Sequence, residues 1–121
     1  MNAFERHQAE IASILDERFY PLSYIADRVA DGSIALMSND SAVIGVERRH
    51  YPGGAVELHG LFAAGDMAGI LELIDLAVAG ARDAGCSVAT IASKPGWARV
   101  LKSRGFEPKQ LTIMKDLSDG V

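Results

Sequence analysis

Residues 66–92 read DMAGILELIDLAVAGARDAGCSVATIA. Ile70, Leu73, Ile74, Ala77, Ala81 and Ala84 recur at helical spacing, while Glu72, Asp75, Arg82 and Asp83 lie mainly on the other side. That pattern predicts an amphipathic helix. Asp66 stands where a helix N-cap is wanted, and Gly85 supplies the backbone freedom of a C′ position. The period then changes. Residues 87–92 are short, partly β-branched and nearly continuous in apolar character, as a buried strand is. A strand reached through a helix is expected to run parallel to the strand before it. With a strand on its N-terminal side, this unit makes the chain an α/β protein.

That strand is expected at residues 55–62. It follows strands at 34–37 and 41–49. Ser38-Asn39-Asp40 forms one turn and Tyr51-Pro52-Gly53-Gly54 the other, so the three strands make an antiparallel meander. Ahead of them, Phe4, Ile11, Ile14, Leu15 and Phe19 share a helix face, ended by Tyr20-Pro21 because the residue before proline leaves the helical region. A second helix places Leu22, Ile25, Ala26 and Val29 inward and closes at Asp31-Gly32. On the C-terminal side, Pro95 opens a helix running to about Arg104. Gly105 caps it and Phe106 packs back. Residues 110–117 are read as a last strand with Leu111, Ile113 and Leu117 inward, and Met67 and Met114 are read as core filler. The chain is one domain without repeats: helices over 1–32, mixed sheet and helices over 33–117, and a frayed tail at 118–121.

The composition narrows the function classes. The chain has 121 residues, 49% hydrophobic and 23% charged, enough for a core without a disulfide or metal staple. Its single cysteine, Cys86, forms no internal disulfide and no zinc site, which fits a reducing, cytoplasmic setting and an inert buried thiol. Acidic residues recur too early for a secretory leader, and no apolar run approaches the ~20 residues that span a bilayer. The net charge of −4 argues against general affinity for nucleic acid. One segment departs from that balance: Lys94, Arg99, Lys102, Arg104 and Lys109 face only Glu107.

The segment from Ala81 to Cys86, ARDAGC, before a short strand resembles GNAT acyl-CoA N-acetyltransferases, as does the ending LKSRGF at residues 101–106. The resemblance covers residues 33–117 and rests on element order as well as on these signatures. It implies a mixed sheet with a central parallel strand pair. It also implies acetyl-CoA as cofactor, a small-molecule amine or protein as substrate, and no metal. GNAT domains often pair, so a dimer is compatible with it. By the same resemblance Leu61, Ala63, Gly65 and Gly69 would hold the acyl and pyrophosphate groups through their backbone. Glu57, on the strand where the family often places a general base, shares a face with His59. The plainer account of these two is a half-solvated cross-strand pairing, Arg48–Glu57 or Glu47–His59, worth about 0.2–1 kcal/mol.

The family pattern is broken in two places. The pyrophosphate loop usually carries Arg or Gln, but residues 63–69 read AAGDMAG, with Asp66 at the phosphate position. The tyrosine that protonates the leaving thiolate in many members is replaced by Leu101. The segment KPGWARVL, residues 94–101, resembles a diverged phage or prophage GNAT-like subgroup, some of it linked with virion genes. There Lys94, Trp97 and Arg99 would contact a ligand or partner. The alternative is that Trp97 fills the core beside Phe106. Three functions follow: an N-acetyltransferase; a non-catalytic assembly protein, in the cytoplasm or a phage particle; and, last, nucleic-acid binding through the basic stretch.

Overall fold

The structure, a computed structural model, describes residues 2–94 and 96–118. Two helices, α1 (Ala3–Ile14) and α2 (Leu22–Ala30), precede three strands, β1 (Ile34–Ser38), β2 (Ala42–His50) and β3 (Val56–Gly65). Then come α3 (Met67–Asp83), β4 (Val88–Ile91) and α4 (Gly96–Leu101), with a 3-10 turn over Lys102–Arg104. The sheet order is β1-β2-β3-β4, antiparallel except for the parallel β3–β4 pair. This is the mixed α/β architecture expected from the helix-to-strand unit at residues 66–92.

Each face of the sheet has its own core. Ala42, Ile44 and Val46 of β2 meet Ile70, Leu73, Ile74 and Ala77 of α3, with Leu101 beside them. On the other face, Val43, Phe62 and Ala64 meet Ile11 of α1 and Ile25 of α2. The alternation along β2 is what lets one strand serve both layers. Along β3 the alternation breaks once. Gly45 pairs with Phe62 but Val46 pairs with Gly60, so Leu61 is an extra residue, a β-bulge. Leu58 therefore points to the α3 side and Phe62 to the α1 side, although both have even numbers. Gly45 makes room for this: a Cβ there would run into the Phe62 ring. Gly65 adopts φ +116°, which favours glycine, and turns the chain from β3 into α3.

Several expectations are corrected. The first helix stops at Ile14, because Asp16 starts a turn of its own: its carboxylate accepts from Arg18 N at 3.0 Å and its carbonyl from Tyr20 N at 2.9 Å. Phe19 is thus 57% exposed and not on the helix's inner face. Residues 63–65 belong to β3 rather than to a loop. The last strand does not form. Residues 106–117 have no regular structure, and Leu111, Ile113 and Leu117 are 75%, 85% and 73% exposed. An amphipathic strand is stable only against a partner strand, and this segment instead reaches Arg18, which holds Asp116 at 2.6 Å. The parallel pair consequently sits at the sheet's edge. Met67 and Met114 are exposed and fill no core, and Cys86 is half-buried rather than buried. Pro95, read as the opening of the α4 helix, and residues 119–121 of the tail lie outside the described residues.

Candidate active site

The strands β3 and β4 run parallel from Glu57–Val88 to Gly60–Ile91, and Ala92 N closes the ladder on Gly60 O at 3.3 Å. Beyond that point β3 continues through the bulge to Gly65, while β4 has ended. Residues 61–65 of β3 therefore have no strand along that edge among the described residues. The opening lies at the C-terminal ends of two parallel strands, next to the N-terminus of α3, where open α/β sheets take ligands.

At the base of this opening three polar side chains meet. Glu57 and His59 project from the same face of β3 and are only 4% and 7% exposed. Thr90 of β4 lies between them: its hydroxyl donates to Glu57 Oε2, and its oxygen is 2.8 Å from His59 Nδ1. Since the Thr90 proton goes to the carboxylate, Nδ1 must carry its own proton and donate it to Thr90 Oγ1. His59 Nε2 then bears the free lone pair. It has no protein partner among the described residues. The Tyr51 hydroxyl donates to the other oxygen, Glu57 Oε1.

Electrostatics set the charges of this group. Burial pushes the Glu57 carboxyl up, but the hydrogen bonds from Thr90 and Tyr51, with the charges of His59 and Arg49, outweigh it and hold the pKa below the ordinary carboxylate value. Burial, helped by the nearby Arg49 charge, lowers the His59 pKa against the pull of Glu57 and Glu47. Glu57 is thus ionised and His59 neutral at pH 7. Tyr51 is raised, chiefly by its bond to Glu57. The expected Glu47–His59 pairing holds in the strand register, but Glu57 faces Arg49, and Arg48 faces Leu58. Arg49 reaches sideways to Glu47 Oε1 at 2.9 Å. Arg48 points to the opposite face, where it lines a groove of about 190 Å³ with Leu76 and Cys86.

The far end of the opening is the N-terminus of α3. Asp66 Oδ1 accepts from Gly69 N at 2.6 Å and from Ser41 Oγ at 3.2 Å. Asn39 Nδ2 donates to Gly69 O at 3.0 Å, so the β1–β2 turn covers Gly69. The N–H groups of Met67 and Ala68 remain uncovered there.

Of the residues singled out in the sequence, Glu57, His59, Leu61, Ala63 and Gly65 line up along β3, and Gly69 lies behind Asp66. Lys94 and Arg99 are exposed. Trp97 is half-buried and packs, with Phe106, against the α3-side core. Leu101 is 3% exposed and wholly part of that core. Two residues were missed, Thr90 and Tyr51. Tyr51 was legible: with Arg49 facing Glu57, period 2 puts residues 47, 49, 51, 57 and 59 on one face. Thr90 was not, because a parallel register set through a 17-residue helix leaves no sequence trace.

No protein-family model matches this sequence, and no curated protein matches it. Solved structures do. A transcriptional regulator from Bacillus halodurans C-125 superposes with TM-score 0.71 at 17% identity, covering 94% of this chain and 93% of that one. An acetyltransferase of Trypanosoma brucei gives 0.68 at 15% identity, covering 94% and 92%. A predicted acetyltransferase from Clostridium acetobutylicum, crystallised with acetyl-CoA, gives 0.63 at 12% identity, covering 97% and 88%. The fold is GNAT-like. Among the described residues no helix is long and apolar enough to cross a membrane.

The residues can be tested against the acetyl-CoA that this fold implies. At the acyl end they fit: β3 carries a stretch with one open edge at residues 61–65 and a neutral histidine, His59, on the same strand. At the pyrophosphate end they fit in part, because two uncovered N–H groups adjoin a carboxylate that already takes the third.

Proposed function

We propose that this chain is an acyl-CoA-dependent N-acetyltransferase acting where β3 and β4 part. The observation that carries the reading is the buried Glu57–Thr90–His59 group, which leaves His59 Nε2 free to act as a base. Acetyl-CoA, when bound, supplies the thioester carbonyl that a substrate amine attacks. His59 Nε2 takes the amine proton. Thr90 and Glu57 fix the ring and its tautomer and stabilise the imidazolium that results. Those backbone N–H groups of residues 61–63 that point away from β2 would donate to the carbonyl oxygen. Leu101 offers no proton to a leaving thiolate, so solvent supplies it. The substrate is a small-molecule amine or a protein amine.

A second reading rests on Asp66, whose charge occupies the phosphate end. On it the chain is a non-catalytic GNAT-fold assembly protein, such as a phage virion component, that presents Lys94, Trp97 and Arg99 to a protein partner. One titration separates the two. Calorimetry of the full chain with acetyl-CoA and with CoA should give binding, followed by amine acetylation that His59→Gln and Glu57→Gln abolish. Absence of binding at millimolar ligand, in both the native chain and Asp66→Asn, refutes the transferase reading.

A further inference from the structure

The face of the sheet that packs on α3 carries a groove its core does not fill. On β2, Ala42, Ile44 and Val46 face α3, and Arg48 takes the next place in that stripe. Opposite it the wall of α3 is made of Ala77, Gly80 and Ala81, not of the larger Ile70, Leu73 and Ile74 that fill the core nearer the helix N-terminus. This leaves a space of about 190 Å³ over Leu58, rimmed by Leu76, which is 55% exposed. Gly80 keeps that wall low, and nothing in the packing of the described residues requires a glycine there. It lies inside a 17-residue helix, where glycine is less stable than alanine. A Cβ at this position would meet nothing within 4 Å. Arg48 is the one charged residue lining the groove among the described residues. Its guanidinium has no ion-pair partner among them, whereas Arg18, Arg49 and Arg104 each hold a carboxylate.

We infer that this groove binds a small organic carboxylate with an apolar tail, the head on Arg48 and the tail along α3. Charge decides the head. An unpaired guanidinium presents a planar fork that matches a carboxylate, and a cation at the same place is repelled. Volume decides the tail. A cavity of about 150 Å³ takes a benzene ring, so this groove takes an aliphatic tail of about six to eight carbons. The apolar walls then cover the tail, and Leu76 gains a neighbour in place of water. The site is separate from the opening beside β3 and β4. Gly80 lies roughly 20 Å from Met67 along the helix axis. Leu58 stands between Glu57 and His59 in sequence but points to the other face, so the ligand would rest on the back of the polar group without entering it.

Sodium octanoate is the probe, titrated into the isotope-labelled full chain and followed by amide NMR shifts. The shifts should saturate in the millimolar range expected of so small a ligand. They should centre on residues 77–86, with Arg48 and Leu58. Octylamine, with the same tail and the opposite charge, should produce no saturating shifts there. Arg48→Gln should weaken octanoate binding by about tenfold, through loss of the charge-assisted pair. Arg48 is exposed, so this variant keeps its circular dichroism. Gly80→Leu should abolish binding by filling the groove, while its urea midpoint holds or rises, because leucine is the better helix former. No saturation at tens of millimolar overturns the inference, as does equal binding of octylamine. So do shifts that fall on residues 61–65 instead, or octanoate binding that survives either variant undiminished. Acetyl-CoA and turnover do not enter these measurements, so either result leaves the transferase reading as it stands.

Discussion

Replacing Asp66 by Asn should tighten acetyl-CoA binding by about tenfold. Asp66 caps α3 through Oδ1, 2.6 Å from Gly69 N, and Asn caps a helix as well as Asp does, so the change removes charge and little else. A phosphate resting on the uncovered N–H groups of Met67 and Ala68 would lie roughly 6 Å from that carboxylate, one turn of helix. Two unit charges at that distance, at an effective dielectric constant near 20, repel by about 3 kcal/mol. Screening over a Debye length of about 8 Å at physiological salt reduces this to ~1.3 kcal/mol, which is about tenfold in Kd. Calorimetric titration of both proteins at low and physiological salt checks it. The gain should be larger at low salt, and urea midpoints should agree to within a few tenths of a kcal/mol. Equal affinity at both salts would mean that the pyrophosphate does not approach α3, and the proposed seat of the cofactor would be wrong.

Thr90→Val, which keeps shape but removes the bridging hydroxyl, should lower kcat by about 10²-fold with little change in KM for acetyl-CoA and cost about 1–3 kcal/mol of stability; an unchanged kcat would remove Thr90 from the relay. Glu57 and His59 both have folded pKa values below their ordinary 4.5 and 6.5, so the unfolded chain binds more protons. Stability contributed by His59 should be complete above pH 6.5 and decline as pH falls from there to its folded pKa, with the Glu57 contribution following below pH 4.5. Urea unfolding from pH 8 to 4 reads this, and in His59→Gln the upper part of the decline should vanish. Gly45→Ala drives a methyl into the Phe62 ring at the bulge and should destabilise by about 1–3 kcal/mol; an unaltered urea midpoint would show that the ring can step aside.

Local signals carried most of the fold. The Asp66 cap, the α3 stripe and the glycine that ends it gave that helix nearly to the residue, and the two turns gave the meander. What failed was non-local. The first helix looked longer than it is because Leu15 and Phe19 continue its stripe, and the Asp16 turn that interrupts it competes only by a few hydrogen bonds. The last strand has the correct pattern, but a pattern gives propensity and not a partner. Leu61 is a bulge because Phe62 must reach the α1-side core over Gly45, and neither residue announces this alone. Within the site, Glu57 and His59 followed from period 2 on one strand, whereas Thr90 came from a different strand whose register the sequence does not encode.

The two ends of the opening carry opposite implications for the proposed activity. Asp66 has an ordinary structural reason to be there: it caps a 17-residue helix and ties it to Ser41. The Glu57–Thr90–His59 group has none. Placing a carboxylate and an imidazole at 4% and 7% exposure costs desolvation. The cost is offset because Glu57, Thr90 and His59 Nδ1 bond to one another and Tyr51 bonds to Glu57, while His59 Nε2 is left without a protein partner among the described residues. A stabilising cap at one end and a costly buried polar group at the other are compatible with a transferase of weak cofactor affinity. On the proposed transferase reading, weak affinity would follow from Asp66 and turnover would depend on His59.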